Sequence, residues 1–209
     1  MEMLIRAICL VGGYGVGLIQ TAYIYGRIKG VDIRKYGSGN AGTTNALRVL
    51  GKKAGLIVFL GDFLKGIIAC SLTHIILGQL GIGNAYMFVL YTGLGVVLGH
   101  NFPFYMQFKG GKGIAASVGF LLAFDWRLFV LCAVVFFVIF ALTHYVSLCS
   151  LTAYLVALIA LIVRGEHGGY GMDPSHTLEM YVVMAFLTCL AFWRHRANIV
   201  RLAHGKENK

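Results

Sequence analysis

Long apolar runs constrain this chain more than any other feature of its sequence. A run of about 20 apolar residues spans the hydrocarbon core of a bilayer as one α-helix. Hydrophobic residues make up 58% of the 209 residues, and charged residues make up only 12%. Because soluble domains carry about 25% charged residues, we predict an all-α integral membrane protein. The chain has only two prolines and no low-complexity linker, which predicts a single domain over residues 1–209.

The apolar runs predict seven transmembrane helices. They cover residues 3–25, 54–79, 84–100, 112–124, 127–143, 146–163 and 177–193. The fourth run is roughly 13 residues long, so its length also fits a segment that enters the membrane without crossing it. Lys and Arg collect in cytoplasmic segments, and the charge pattern therefore decides between the two alternatives.

Basic residues predict the orientation of the spans. The loop at 26–53 carries seven Lys or Arg residues, and the tail from residue 194 carries five. A crossing at 112–124 places both of these segments in the cytoplasm, whereas its absence leaves the basic tail outside, against the positive-inside rule. We therefore predict seven spans, with the N-terminus outside and the C-terminus cytoplasmic.

The loop at residues 37–48 is rich in groups that bind anions, and it reads GSGNAGTTNALR. Glycine allows backbone N–H groups to turn towards an anion, and the Ser, Thr and Asn side chains add short donors. Arg48 adds a planar guanidinium suited to phosphate. The only nearby acid is Asp32, which argues against a Mg²⁺ or Ca²⁺ site, and no Gly-Lys-Ser/Thr sequence makes it a P-loop. A plain connecting loop between helices is the alternative.

Two further polar segments lie on the same predicted side of the membrane. Residues 100–113 read HNFPFYMQFKGGKG, and residues 193–207 read WRHRANIVRLAHGKE. Each mixes Lys or Arg with Gly, Asn or His, as expected of a site for a phosphorylated small molecule. Contact with lipid headgroups is the alternative for the basic residues at the span ends. It does not account for the Gly-Gly pair between Lys109 and Lys112.

Asp62 and Lys65 are ionisable residues inside a predicted span. They lie three residues apart, which places both side chains on one face of the helix. Charges within a membrane are costly and usually pair, and they often mark function. We therefore favour a structural ion pair, with a direct substrate contact as the alternative.

Together, these segments resemble the bacterial acyl-phosphate:glycerol-3-phosphate acyltransferases over nearly the whole chain. The first loop matches that family's GS-x-N-x-G-x-T-N-x-x-R segment. Residues 99–113 match GH-x-FP followed by FKGGKG, and residues 195–207 match HR-x-NI-x-RL-x-x-G-x-E. The resemblance implies a seven-span enzyme of the bacterial inner (cytoplasmic) membrane, active at the cytoplasmic face. It would transfer a fatty acyl group from acyl phosphate to the 1-hydroxyl of glycerol 3-phosphate, giving lysophosphatidic acid and phosphate in the first step of phospholipid synthesis.

The resemblance also implies substrate contacts, position by position. The residues expected to hold glycerol 3-phosphate at the catalytic centre are Ser38, Arg48, Lys112, His195 and Asn198. Those expected to hold the acyl phosphate are Asn40, Gly42, Thr43, Thr44, Lys109 and Ser147. The wider substrate-binding set adds Asn45, Gly110, Gly111 and Arg201. Which of the two lysines meets which phosphate stays open, and Glu207 is expected to organise the tail by pairing with a basic neighbour.

The residues also exclude other chemistries. None of the seven histidines has an Asp five residues later, as the His-x-x-x-x-Asp acyltransferases require. An acyl phosphate is already activated, so the protein need only position two anions and neutralise the charge that develops on the carbonyl oxygen. That reaction needs no metal and no cofactor. The general base stays open between His195 and a phosphate oxygen of a substrate, and the resemblance favours the phosphate.

The expected partners are the two substrates and the lipid bilayer, with no nucleic acid. A monomer is expected, with a possible contact to the enzyme that produces the acyl phosphate. A transporter or flippase of a phosphorylated solute is the alternative function. Transporters usually keep polar residues near the bilayer midplane and show internal repeats, whereas the polar segments here lie at one face and no repeat is visible.

Overall fold

The fold is known from a computed structural model that describes residues 1–83 and 85–208. The α-helices within those residues are α1 (Glu2–Gly17), α2 (Thr21–Ile28), α3 (Thr43–Leu50), α4 (Lys52–Gln79), α5 (Ala85–Asn101), α6 (Ile114–Phe124), α7 (Trp126–Thr143), α8 (Val146–Glu166), α9 (Pro174–Arg194) and α10 (Arg196–Ala203). Short 3₁₀ turns lie at Ile33–Lys35 and Phe104–Met106. Asn84, the first residue of a predicted span, and Lys209, the last of the basic tail, lie outside the described residues.

Six segments of the described chain are long and apolar enough to cross a membrane. They are Glu2–Ile28, Lys52–Gln79, Ala85–Met106, Trp126–Thr143, Val146–Glu166 and Pro174–Arg194. The remaining predicted span is α6, whose 11 residues extend only about 16 Å, roughly half of the ~30 Å hydrocarbon core. The all-helical membrane architecture is therefore confirmed, while the seventh crossing and the orientation of the termini stay predictions.

The helices form two compact units, Met1–Phe124 and Asp125–Lys209. In the first unit, α5 is buried on nearly all sides and packs against α1, α4 and α6. In the second unit, α8 packs against α7 and α9, and the short α10 contacts α8 and α9. The single domain inferred from the sequence stays a prediction.

Glycines spaced four apart bring α1 close to α5. Gly13 and Gly17 of α1 face α5, and Gly95 and Gly99 of α5 face α1. A Cβ atom at any of these positions would overlap a backbone carbonyl oxygen of the other helix. Lipid tails are as apolar as the side chains, so helices in a membrane gain their attraction largely from such close backbone packing.

The first predicted span, residues 3–25, contains a break that the sequence analysis did not foresee. Helix α1 ends at Gly17 and α2 begins at Thr21. A break inside the membrane leaves backbone carbonyls without helical partners, and such a break is tolerated only where the protein itself supplies donors. The residues of the break are mostly apolar, and this is why the hydropathy of the run remains continuous.

The buried Lys65 and the exposed Tyr105 supply those donors. Lys65 Nζ lies 2.6 Å from the backbone oxygen of Ile19, and the Tyr105 hydroxyl donates to the backbone oxygen of Leu18 at 2.6 Å. Lys65 Nζ also lies 2.8 Å from Asp62 Oδ1. The predicted ion pair within α4 is therefore present, and its cation stabilises the break in the neighbouring segment.

Replacing Gly13 by Ala is expected to destabilise the fold. The new Cβ would overlap the backbone oxygen of Thr92, and overpacking of this kind costs about 1–3 kcal/mol. Gly12 is a matched control because it lies in the same helix and a Cβ there meets nothing within 4 Å. In detergent, Gly13→Ala should melt several degrees below the unaltered protein, and Gly12→Ala should not. Equal melting temperatures for the two variants would show that the α1–α5 contact tolerates the added methyl group.

Candidate active site

The first loop is shaped by one buried amide, that of Asn45. Its Oδ1 accepts a hydrogen bond from the backbone N–H of Ser38 at 2.8 Å. Its Nδ2 donates to the backbone oxygens of Ile33 and Tyr36, each at 3.1 Å. Only 1% of Asn45 is exposed. The amide predicted to contact a substrate is therefore occupied by the loop's own backbone, and Asn45 fixes the loop in shape.

Other polar groups of the loop are open to a ligand. Ser38, Thr44 and Arg48 are exposed, and Asn40 is partly exposed. Thr43 is the first residue of α3, which begins without a side-chain cap. The Thr43 Oγ1 atom is buried and has no hydrogen-bond partner within the described residues. Uncapped N–H groups and an unused hydroxyl at a helix start are suited to an anion.

The second basic segment folds back on the end of α5. The N–H of Gly110 donates to the backbone oxygen of Asn101, and the N–H of Gly111 donates to that of His100, each at 3.1 Å. A Cβ at Gly110 would overlap the His100 oxygen, and one at Gly111 would overlap the His100 ring. The glycines thus serve close packing, and their N–H groups are used within the fold. The two glycines separate the exposed Lys109 from the half-buried Lys112.

The two segments meet inside the first unit. A Cβ at Gly111 would lie 2.6 Å from the backbone oxygen of Ala41 in the first loop. Ala41 itself belongs to an apolar cluster with Ile33 and Met106, which anchors both segments. The structure therefore brings Lys112 and the start of α3 into one region of the first unit.

In the second unit, the carboxylate of Glu207 collects three of the predicted binding residues. Its Oε1 accepts from Ser147 Oγ at 3.1 Å and from Asn198 Nδ2 at 2.6 Å. Its Oε2 accepts from Arg201 Nε at 2.8 Å, which is the ion pair expected for this tail. The Glu207 side chain is only 6% exposed. The carboxylate therefore orients the donors that the sequence analysis assigned to substrate.

These contacts keep Glu207 ionised. Burial would raise the pKa of its carboxyl, but the hydrogen bonds from Asn198 and Arg201, together with the charge of Arg201, outweigh burial. The pKa of Glu207 therefore lies below its ordinary value of about 4.3. A folded pKa below the unfolded pKa means that the carboxylate stabilises the tail above about pH 4.3, and that this stabilisation is lost as the pH falls through the folded value.

His195 lies buried between α9 and α10, and it is 2% exposed. Its Nδ1 atom lies 2.8 Å from the backbone oxygen of Ala191. A carbonyl oxygen can only accept, so Nδ1 carries a proton and Nε2 is the acceptor of the neutral ring. In the charged ring, Nε2 becomes a donor. This tautomer therefore allows proton acceptance at Nε2 in the neutral ring and hydrogen-bond donation from Nε2 in the charged ring.

The predicted site residues divide between the two units. Those in the first unit are Ser38, Asn40, Gly42, Thr43, Thr44, Asn45, Arg48, Lys109, Gly110, Gly111 and Lys112. Those in the second unit are Ser147, His195, Asn198 and Arg201. Gln20 is absent from the predicted set, and its Nε2 donates to the backbone oxygens of Gly99 and His100 at 3.3 and 3.0 Å. The signal for Gln20 was a polar residue inside an apolar run.

The fold and these two clusters define a class: an all-helical integral membrane protein whose polar groups suit phosphorylated ligands. The family model described as glycerol-3-phosphate acyltransferase matches residues 7–205. The chain belongs to the glycerol-3-phosphate acyltransferase family, as the sequence motifs predicted.

Relatives and solved structures agree with this membership. The glycerol-3-phosphate acyltransferase of Clostridioides difficile (strain 630) is 41% identical over 213 residues, which covers 100% of this chain and 97% of that protein. That of Bacillus cytotoxicus is 40% identical over 209 residues, covering 99% and 96%. Two crystal structures of PlsY (YgiH), an integral membrane glycerol 3-phosphate acyltransferase, are 38% identical and cover 98% of this chain and 94% of theirs. The TM-score is 0.82 for its glycerol 3-phosphate form and 0.79 for its lysophosphatidic acid form.

Acidification is expected to release the C-terminal tail. Protonation of Glu207 removes its charge-assisted hydrogen bonds, so a spin label on a Lys206→Cys variant in a cysteine-free background should gain mobility below about pH 4. Mobility should stay constant between pH 5 and 8. A Glu207→Gln change in the same background should give the mobile spectrum at every pH. A transition near pH 6.5 would instead assign the release to a histidine.

Proposed function

We propose that this protein is the membrane enzyme that transfers a fatty acyl group from acyl phosphate to the 1-hydroxyl of glycerol 3-phosphate. The hydroxyl oxygen forms a bond to the acyl carbon, the bond from that carbon to the phosphate oxygen breaks, and a phosphate oxygen of a substrate takes the hydroxyl proton. The products are lysophosphatidic acid and inorganic phosphate. The names of the relatives support glycerol 3-phosphate as the acyl acceptor. The observation that carries the proposal is the proximity of the first loop to the Lys109–Lys112 segment.

Two anionic substrates need two sets of donors, and the residues divide accordingly. We assign Ser38, Arg48, Lys112, His195 and Asn198 to glycerol 3-phosphate. We assign Asn40, Gly42, Thr43, Thr44, Lys109 and Ser147 to the acyl phosphate. The unused Thr43 hydroxyl at the start of α3 supports this assignment, because an anion there would satisfy it.

The four residues of the wider binding set receive positioning roles. Asn45 shapes the first loop through its three hydrogen bonds. Gly110 and Gly111 allow the second segment to pack on α5, which leaves the lysines on either side to meet phosphate. Arg201 is paired with Glu207, so its charge offsets the carboxylate near the Ser147 and Asn198 donors.

The chemistry rests on position and charge. Phosphate is a ready leaving group, so holding the hydroxyl against the acyl carbon supplies much of the rate enhancement. Lysine and arginine side chains stabilise the negative charge that develops on the carbonyl oxygen and on the departing phosphate. These steps use residues of the chain alone.

The topology belongs to the same proposal. Seven spans would place residues 26–53, 101–112 and 194–209 at the cytoplasmic face of the bacterial inner membrane. The concentration of Lys and Arg in these segments supports this arrangement. We further propose that the enzyme acts as a monomer and can receive acyl phosphate by contact with the enzyme that produces it.

The choice of acyl donor tests the reaction directly. Purified protein should release phosphate and form lysophosphatidic acid from acyl phosphate and glycerol 3-phosphate, with little product from acyl-CoA or acyl carrier protein. The reason is that the basic segments offer donors for a compact phosphate rather than a thioester carrier. Omission of glycerol 3-phosphate is the control for hydrolysis. Equal rates with acyl-CoA would refute the proposed donor.

The role of His195 is tested by His195→Gln. We expect a substrate phosphate to take the proton, with the imidazole holding glycerol 3-phosphate, so the variant should mainly raise the KM for glycerol 3-phosphate. Loss of a general base should instead lower saturating turnover by about 10²–10⁴-fold. Steady-state rates at saturating and limiting glycerol 3-phosphate separate the two cases. A fall in kcat of that size at unchanged KM would make His195 the base.

A further inference from the structure

A chain of buried polar contacts connects the break in the first span to the second basic segment. Lys65 Nζ lies 2.6 Å from the Ile19 oxygen, 2.8 Å from Asp62 Oδ1 and 2.9 Å from His100 Nδ1. Thr21 Oγ1 donates to the same Asp62 oxygen at 3.0 Å. The side chains of Lys65 and His100 are each 4% exposed, and that of Asp62 is 2% exposed. The three N–H groups of the ammonium thus have three close acceptors.

Lys65 determines which nitrogen of His100 carries the proton. An ammonium group donates and cannot accept, so His100 Nδ1 must be the acceptor in their contact. The ring is then neutral, and its proton lies on Nε2. A charged ring would place two cations side by side in a buried site with one carboxylate, that of Asp62, to balance them, and this is unfavourable.

The Nε2 edge of His100 faces the junction of the two substrate segments. A Cβ at Gly111 would overlap Nε2 and would lie 2.6 Å from the Ala41 oxygen, so ring, glycine and first loop are in direct proximity. The backbone oxygen of His100 accepts from Gly111 N–H at 3.1 Å and from Gln20 Nε2 at 3.0 Å. His100 is thus fixed on both sides, by side chain and by backbone.

We propose that His100 is a positioning residue for both substrate segments. Lys65 holds the ring in the Nε2–H form, and Asp62 balances the charge of the buried ammonium. The Nε2–H edge of the ring fixes the position of Gly111 against the first loop. The effect on catalysis rests on the proposed function, because it acts through the placement of substrate-binding groups. A misplacement of about 1 Å can lower the rate of a reaction 10²-fold. Loss of the contacts that fix this junction should therefore lower the reaction rate measurably.

Nitrogen NMR of ¹⁵N-histidine-labelled protein tests the proton position without any substrate. The signals of His100 are identified by their loss in His100→Gln. We expect the neutral Nε2–H form, and a mixture of the two forms in the Asp62→Asn/Lys65→Met double variant, which removes the ion pair without leaving one charge unpaired. A proton on Nδ1 in the unaltered protein would overturn the proposal. This measurement is independent of whether the proposed reaction occurs.

Two substitutions of His100 separate positioning from simple stability. Gln places an amide N–H near the position of Nε2, whereas Asn keeps an acceptor for Lys65 but ends short of the loops. His100→Asn should lower kcat/KM by about 10²-fold and raise the KM for both substrates, and His100→Gln should recover most of that loss. Melting temperatures in detergent are the control. A lower melting temperature with unchanged KM values, or equal kinetics for the two variants, would overturn the positioning role.

Discussion

A break in a transmembrane segment needs donors from within the protein, and the arrangement of the first unit depends on this requirement. Between α1 and α2 the carbonyl of Ile19 receives the ammonium of Lys65, and that cation is balanced by Asp62. The ion pair therefore stabilises the turn from the first helix towards the glycine-rich first loop.

The same requirement links the membrane core to the site. Glycine contacts place α5 against α1, and the end of α5 carries His100, on which the second basic segment folds back. The Asp62–Lys65 pair contacts the ring of His100, and that ring packs against the backbone of Gly111. The helix break and the second basic segment therefore share the contacts of Lys65, so a change at Lys65 is expected to disturb both.

The sequence predicts the helices well, since the apolar runs are long, and the Asp62–Lys65 pair follows from helical spacing alone. The break after Gly17 was not predicted, because Gln20 is its only polar residue and its partners lie far away in the chain. Asn45 was expected to contact substrate because its side-chain amide can donate hydrogen bonds. The fold shows that this amide donates to backbone oxygens of the protein itself, and those acceptors cannot be read from the local sequence. The Gly110–Gly111 packing likewise depends on contacts with α5 that no local pattern encodes.

The four glycines between α1 and α5 also limit how this protein can vary in evolution. Gly13 and Gly17 meet backbone oxygens of α5, while Gly95 and Gly99 meet those of α1, so no side chain is available to yield when one position changes. A larger residue at any of them forces the helices apart. Because His100 directly follows Gly99, such a shift would also displace the imidazole from its contact with Lys65 near the break after α1. Substitutions at a lipid-embedded contact would thus be selected against through enzyme activity as well as through folding.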